Sequence, residues 1–231
     1  MSEVGKVCEA LPADALLPDQ RSTVAIVIVD GCSYGRMGLL NALRQASSGQ
    51  VEAFAGVALR EPQKIRAAEG KQSGNVDSLH PGWILVLRLP KNPREALLLL
   101  LQLEGHQLEC VGYRRLVVLS PFHAGTIRRF LACCGVQFAV RIVNARHSVA
   151  QLSRAVLQER EDEWLPWMPA LILSVRERDV MRRTLQGIPI VQQALCRRLS
   201  PKTLYAQRSC ALMKLGVSSI PALHLRFGRM P

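Results

Sequence analysis

The sequence lacks any apolar run long enough to cross a membrane. Its richest, Ala96 to Leu101 followed by Leu103, falls well short of the roughly 20 residues a spanning helix needs. The first residues carry acids and no apolar stretch of signal-peptide type, so export is not expected and a cytoplasmic setting is. The seven cysteines (Cys8, Cys32, Cys110, Cys133, Cys134, Cys196, Cys210) are scattered, with no C-x-x-C pair among them. That pattern speaks for reduced thiols and against a disulfide framework or a metal site. Absent too are H-E-x-x-H, G-x-S-x-G, a Walker loop and a glycine-rich dinucleotide turn. The five histidines (His80, His106, His123, His147, His224) stand isolated, and each reads as a surface or core residue rather than a base. No catalytic residue, metal or cofactor is expected, and an enzyme is the disfavoured class.

Acid is scarce in one region above all. From Ala170 onward only Glu177 and Asp179 oppose eleven Lys and Arg, so this stretch holds nine of the twelve net positive charges. The rest of the chain is nearly neutral. A neutral front joined to a strongly basic tail is the electrostatic footprint of a polyanion binder. A basic domain with no nucleic-acid partner is the plain alternative, and charge alone does not decide between them.

At 231 residues and 48% hydrophobic, the chain can build two modest domains with their own cores. Residues 1–21 show no clear period and read as a leader. Thr23 to Asp30 (TVAIVIVD) is a continuous β-branched run, the mark of a strand buried on both faces. Met37 to Ala46 reads as a helix and Val51 to Leu59 as a second strand. Arg60 to Gly82 reads as a short helix and a long loop. Trp83 to Leu89 is a third strand stopped by Pro90, and Pro93 to Leu103 an apolar helix. Arg115 to Ser120, Thr126 to Cys133, Val136 to Arg141 and Ser148 to Arg160 follow as strand, helix, strand and helix. This alternation implies a doubly wound five-stranded parallel sheet over 22–158. Its ligand site is expected at the carboxyl ends of the strands, here Asp30, Arg88 to Pro90, Ser120 and Arg141. Glu159 to Pro169 (EREDEWLPWMP), with its acids, tryptophans and prolines, reads as a linker.

From 170 to 231 the pattern turns wholly helical. Ser174 and Glu177 have capping-box spacing, Val180, Met181, Thr184 and Leu185 form an apolar face, and Gly187 stops the helix. Pro189 opens a second helix through Arg198. Ser200 caps a third, with Pro201 in its first turn, where a missing N–H costs nothing. Leu204, Ala211, Leu212 and Leu215 face inward, and Gly216 ends the helix. Lys202, Tyr205, Ala206 and Ser209 share the opposite stripe at i, i+3, i+4 and i+7. Such a face, small-sided with one aromatic, can approach a major groove closely, with Arg208 and Lys214 flanking it for phosphates. An ordinary solvent face of a helical bundle is the bland alternative.

These residues carry a resemblance. Leu173-Ser-Val-Arg-Glu-Arg-Asp-Val-Met, Gly187, Ala194, Ser200-Pro-Lys-Thr-Leu and Met213-Lys-Leu-Gly-Val217 resemble, ungapped, the helix-turn-helix of LuxR/FixJ/NarL-type response regulators. Lys202 to Val217 is especially similar to the Rcs capsule-regulator branch, where glutamine likewise stands at the place of Gln207, and the resemblance counts Gln207 among the DNA-binding residues. The resemblance implies that the Ser200–Leu215 helix reads the major groove. It implies backbone anchoring by Lys202 and Thr203, and base contacts by Tyr205, Ala206 and Ser209. It also implies that a last helix, Ser219 to Phe227, pairs two domains about a twofold. Two positions depart from the family: Gln193 and Arg197 stand where it packs apolar residues inward. Either this helix is rotated to bury Val191, Leu195 and Leu199, or it packs loosely.

Thr23 to Arg160 resembles a response-regulator receiver that has lost its chemistry. Val29-Asp-Gly-Cys-Ser-Tyr-Gly-Arg-Met-Gly-Leu39 falls on the first strand and acidic pair, and Leu85-Val-Leu-Arg-Leu-Pro90 on the phosphoacceptor strand. The phosphoacceptor place holds Val86. Of the acidic pair only Asp30 remains, beside Gly31. Ser120 stands at the hydroxyl position and Arg141 at the lysine position. A valine cannot attack phosphorus, and one carboxylate is a poor Mg²⁺ site. Arg141 keeps a lysine's charge without its compact geometry. Asp30 is therefore expected in a salt bridge to Arg141 or Arg88. Two readings follow. One is a sequence-specific regulator of promoter DNA that needs no phosphorylation, as a homodimer or as a heterodimer with another response regulator. The other is an interaction partner of such a regulator that does not itself read DNA. Salt dependence of DNA affinity separates them.

Overall fold

The computed structural model describes residues 24–47, 51–56, 82–158, 162–166 and 168–228. The leader, the segment 60–81 with its expected helix and loop, strand residues 57–59, and linker residues 159–161 and 167 lie outside the described residues.

Strands β1 (Val24–Val29), β2 (Val51–Gly56), β3 (Trp83–Arg88), β4 (Tyr113–Ser120) and β5 (Ala139–Asn144) pair in parallel in the order β2-β1-β3-β4-β5. The order reverses beside β1, so the connections leave to opposite faces and open a crevice at the carboxyl ends of β1 and β3. Both faces are covered, which is why the central strands are continuously apolar. On one face Ile26, Ile28, Ile84, Val86, Val117 and Leu119 pack against α1 (Ser33–Ala46) and α5 (Val149–Leu157). On the other, Val27, Val29, Leu85, Leu87, Leu116 and Val118 meet α2 (Pro93–Leu100) and α4 (Ala124–Cys133).

Several boundaries differ from the sequence reading: the helix expected from Met37 already begins at Ser33, where Cys32 caps it, and two further shifts have physical reasons. The helix from Pro93 stops at Leu100, and a separate α3 (Gly105–Cys110) follows. Gly105 donates its N–H to the Cys134 carbonyl at 3.0 Å and lies so close to the Gly135 carbonyl that any Cβ would overlap it. The fifth strand runs three residues later than Val136 to Arg141. Gly135, at φ 73°, closes the turn after α4, and pairing sets Arg115 opposite Ala139 and Ser120 opposite Asn144.

The linker is fastened to the sheet edge. Glu163 forms an antiparallel bridge with Val140, N–O 2.8 and 2.9 Å, and its carboxylate takes both arms of Arg128 at 2.6 Å. Arg115, 4% exposed, pairs with Asp162 and donates to the carbonyls of Ala155, Val156 and Gln158. A buried guanidinium thus satisfies the open end of α5, where backbone acceptors have no helical partner.

Four α-helices follow among the described residues: α6 (Val175–Leu185), α7 (Ile190–Arg197), α8 (Pro201–Leu215) and α9 (Ile220–Gly228). Val180, Ile190, Ala194 and Leu204 knit α6 to α8. Met181, Leu185, Ala211, Leu212 and Leu215 instead join the α2/α4 side of the sheet in one continuous core. Polar contacts reinforce this junction. Leu173 N–H donates to the Cys133 carbonyl (2.8 Å), Arg129 Nη2 to the Lys214 carbonyl (3.0 Å), and Arg178 pairs with Glu104 (3.0 Å).

The last helix, α9, packs on its own chain. Phe227, fully buried, sits between Phe122 and Phe130 at centroid distances of 5.3 and 5.9 Å, and Leu223 is buried beside it. Such tilted and edge-on aromatic contacts are favourable beyond the area they bury. Leu225, on the same helix, stays 70% exposed.

Candidate nucleic-acid interface

Helix α8 is positioned by its caps and its inner face. Ser200 Oγ accepts from the Thr203 N–H at 3.1 Å, and Pro201 occupies the first turn. Gly216, at φ 74°, ends the helix in the left-handed conformation that glycine adopts without steric cost. Leu204, Ala211, Leu212 and Leu215 are buried. Lys202, Thr203, Tyr205, Ala206 and Ser209 therefore lie exposed on the outer side, and the i, i+3, i+4, i+7 stripe is a real surface. The Arg208 guanidinium lies 5.0 Å from the Tyr205 ring centroid, a cation–π contact that steadies both side chains at the edge of the stripe. Met213, Gly216, Val217 and Ser218 extend the face beyond Ser209 as a shallow hollow.

Two residues expected on this face are placed otherwise. Gln207 is half-buried, and its Oε1 meets no donor among the described residues. Lys214 does not flank the stripe: its ammonium donates to Glu177 Oε2 at 2.7 Å and to the Ile172 carbonyl at 2.9 Å. Those bonds fix α8 against the start of α6. Burial raises the Glu177 carboxyl, but the Lys214 and Ser174 hydrogen bonds outweigh it and hold the group below the ordinary carboxylate range.

Helix α7 is neither rotated nor loose. Gln193 is fully buried and donates through Nε2 to the Ile188 carbonyl (2.8 Å) and Thr184 Oγ1 (3.3 Å). Arg197 turns inward onto Asp179, which also takes Arg182 and Arg183. Gln193 Nε2 and Arg197 keep the inner face because α6 and its following turn supply them partners, while Gln193 Oε1 meets no donor among the described residues. Val191, Leu195 and Leu199 remain outside at 55%, 75% and 43% exposure. Arg198 closes α7 at φ 54°.

The other candidate site lies at the strand ends. Val86 is fully buried in the α1/α5 core. Asp30, 5% exposed, pairs with Arg88 at 3.5 Å and accepts the Cys32 N–H at 2.8 Å through Oδ1. Arg36 donates to the Asp30 carbonyl at 2.6 Å. A guanidinium thus neutralises the single remaining carboxylate. Gly31 is exposed. Ser120 is turned in on its own chain, accepting the Phe122 N–H at 2.9 Å. Arg141 is not at a strand end: it lies mid-strand opposite Val117 and donates to the Gln158 carbonyl at 2.9 Å. The expected Asp30 partner is therefore Arg88, not Arg141. Among the described residues no group of three or more His, Cys, Asp or Glu is placed to hold a metal ion, and no helix is long and apolar enough to cross a membrane.

No family model matches the chain, and no curated protein does. Among solved structures, RcsB from Salmonella enterica serovar Typhimurium bound to a promoter is 18% identical, covers 90% of this chain and 100% of its own, and has a TM-score of 0.48. A complex of the two-component response regulator RcsB with DNA is 16% identical with the same coverages and a TM-score of 0.49. The response regulator ChrA is 16% identical, covers 89% of this chain and 96% of its own, and has a TM-score of 0.33.

Proposed function

We propose that this protein is a sequence-specific DNA-binding transcriptional regulator of LuxR/FixJ/NarL type. Its receiver-like part, 22–158, works without aspartyl phosphorylation, and 170–231 reads promoter DNA. One observation carries the reading. Lys202, Thr203, Tyr205, Ala206 and Ser209 share one exposed side of a doubly capped helix, in a stretch with no Asp or Glu after Asp179. Lys202 and Thr203 anchor phosphates at the helix start, where N–H groups and dipole favour anions. Tyr205, Ala206 and Ser209 meet base edges, and Arg208 adds a flanking cation. Lys214 is left out of the DNA set, since Glu177 holds it. The protein acts in the cytoplasm, on the nucleoid when bound, with no cofactor and no chemical step of its own.

The receiver-like part acts as a protein-docking module. The Asp30–Arg88 pair supports this, because it fills with a fixed cation the place a divalent ion would need. The active species is a homodimer or a heterodimer with another response regulator. The second reading, a partner that modulates such a regulator without reading DNA, draws on Gln193 and Arg197, polar residues at positions where the family it resembles is apolar.

The test is binding of the full-length protein to promoter-bearing and unrelated DNA fragments across a salt series, with and without a small phosphodonor and Mg²⁺. Selective binding that weakens steeply with salt and ignores the phosphodonor is expected. Binding with no fragment selectivity turns the conclusion to the second reading. A gain with phosphodonor removes the phosphorylation-independent receiver.

A further inference from the structure

Helices α2 and α6 lie antiparallel across the junction. Leu97 and Leu100 of one share a core with Met181 and Leu185 of the other. At one end Arg178, early in α6, pairs with Glu104 at 3.0 Å and donates to the Leu103 carbonyl at 3.0 Å. At the other end the start of α2 stands beside the turn that leaves α6. Gly187 makes that turn at φ 86°, and a Cβ there would lie 3.6 Å from Arg94 Nη2. Asn92 caps α2 by accepting the Arg94 N–H at 2.9 Å, with Pro93 in the first turn. Packing and capping together fix an exposed guanidinium of the sheet-bearing part against the chain that leads into α7.

The fold does not use that cation. Arg94 and Lys91 are exposed, and among the described residues neither side chain makes an ion pair or hydrogen bond. A cation at the end of α6 would ordinarily serve the last carbonyls of the helix. Here the carbonyls of Arg182, Thr184 and Arg183 already accept the N–H groups of Gln186, Gly187 and Ile188 at 2.9, 3.0 and 3.0 Å. The surroundings are basic. Glu95 is the acid in the first turn of α2, beside Lys91 and Arg94. Arg182 and Arg183 stand in the last turn of α6 and share Asp179 with Arg197. No Asp or Glu follows Asp179 in the chain. This surface is therefore net positive and runs from the sheet-bearing part onto the basic helices, which suits one extended polyanion.

We propose that Lys91 and Arg94 form a second phosphate-binding surface, which grips duplex DNA flanking the stretch read by α8. The inference rests on the DNA-reading role of 170–231. In a helix-turn-helix pair the second helix enters the major groove and the first crosses the backbone. Helix α7 is that first helix here, and Arg94 stands beside the turn that leads into it. The ligand is the backbone, so the contact adds affinity without sequence preference. Arg94 can present two N–H groups to one phosphate, and Lys91 adds a point charge. The receiver-like part then contributes to DNA affinity directly, held in place by the packing of α2 on α6.

The test titrates full-length protein by fluorescence anisotropy against mixed-sequence duplexes of about one and about three helical turns, roughly 10 and 32 base pairs, across a salt series. The natural protein is compared with Lys91→Ala/Arg94→Ala, Arg94→Lys and Lys202→Ala. On the longer duplex the double variant should bind on the order of tenfold more weakly at low salt, with a salt slope reduced by about two phosphates. Arg94→Lys should keep the natural slope. Shortening the duplex removes the flank, so it should cost the natural protein more affinity than it costs the double variant. A double variant that matches the natural protein on the longer duplex overturns the proposal. So does one that loses affinity equally on both duplexes with an unchanged slope, which would assign Lys91 and Arg94 a structural role. If Lys202→Ala still weakens binding in either case, α8 reads DNA and the flanking contact alone is wrong. If the natural protein binds neither duplex, the DNA-reading role falls and this surface falls with it.

Discussion

Asp179 balances three arginines. Arg182 and Arg183 reach it from i+3 and i+4 on its own helix, and Arg197 reaches it from α7. With 25% of its side chain exposed, the carboxylate is partly screened, yet its loss leaves three guanidinium groups facing one another. Asp179→Ala should destabilise the protein by about 1–3 kcal/mol, seen as a lowered urea midpoint with unchanged slope. A second residue sets a pH dependence. The folded-state pKa of Glu177 lies below its ordinary value of 4.5, so the stability it contributes is complete above that value. It fades as pH falls through the lower folded value. Glu177→Gln keeps the capping-box geometry and removes the charge. The natural protein should exceed Glu177→Gln in stability at neutral pH, and the two should converge as pH falls through the lowered folded value of Glu177. A constant gap across that range would show that the charge contributes nothing.

Individual elements differ in how far they can be read in advance. The caps of α6 and α8 are short-range devices, and Ser174, Glu177, Ser200 and Pro201 were legible because each partner lies within three residues. The outer stripe of α8 was legible for the same reason, its inner face being a plain apolar repeat. Helix α7 was not. Whether Gln193 and Arg197 point inward depends on acceptors contributed by α6 and its following turn, and no periodicity in α7 encodes those. Lys214 was misplaced likewise, since its partner Glu177 lies 37 residues away. The late start of β5 reflects pairing to β4, a long-range register that a local run of Val and Phe cannot fix. The α8 stripe also yields a prediction that separates its two roles. Lys202→Ala should weaken binding to all DNA sequences about equally and reduce the salt slope by about one phosphate. Tyr205→Ala should change sequence preference with little change in salt slope. A binding-site selection with both variants reads this directly. If Tyr205→Ala selects the same sites as the natural protein, the aromatic does not face the bases.

For the whole molecule the decisive feature is that the helical part and the sheet share one core. Phe227 closes it, and removing its ring should cost about 3–5 kcal/mol if the contact stays closed and a cavity remains. The junction also covers Cys133 and Cys134. Burial pushes both thiols up, Cys134 to about 12, and a thiol must ionise to react. Cys32, Cys110, Cys196 and Cys210 are exposed and should label quickly with a disulfide reagent at pH 8, while Cys133 and Cys134 wait on opening. Phe227→Ala should raise the labelling rate of that pair with little effect on the others, since Cys32, Cys110, Cys196 and Cys210 are already exposed. Peptide mapping of the labelled protein distinguishes the outcomes. Selective acceleration at Cys133 and Cys134 means that α9 holds the two parts together. Uniform acceleration of all thiols means that the chain opens as one unit, and α9 then has no separate role in holding them.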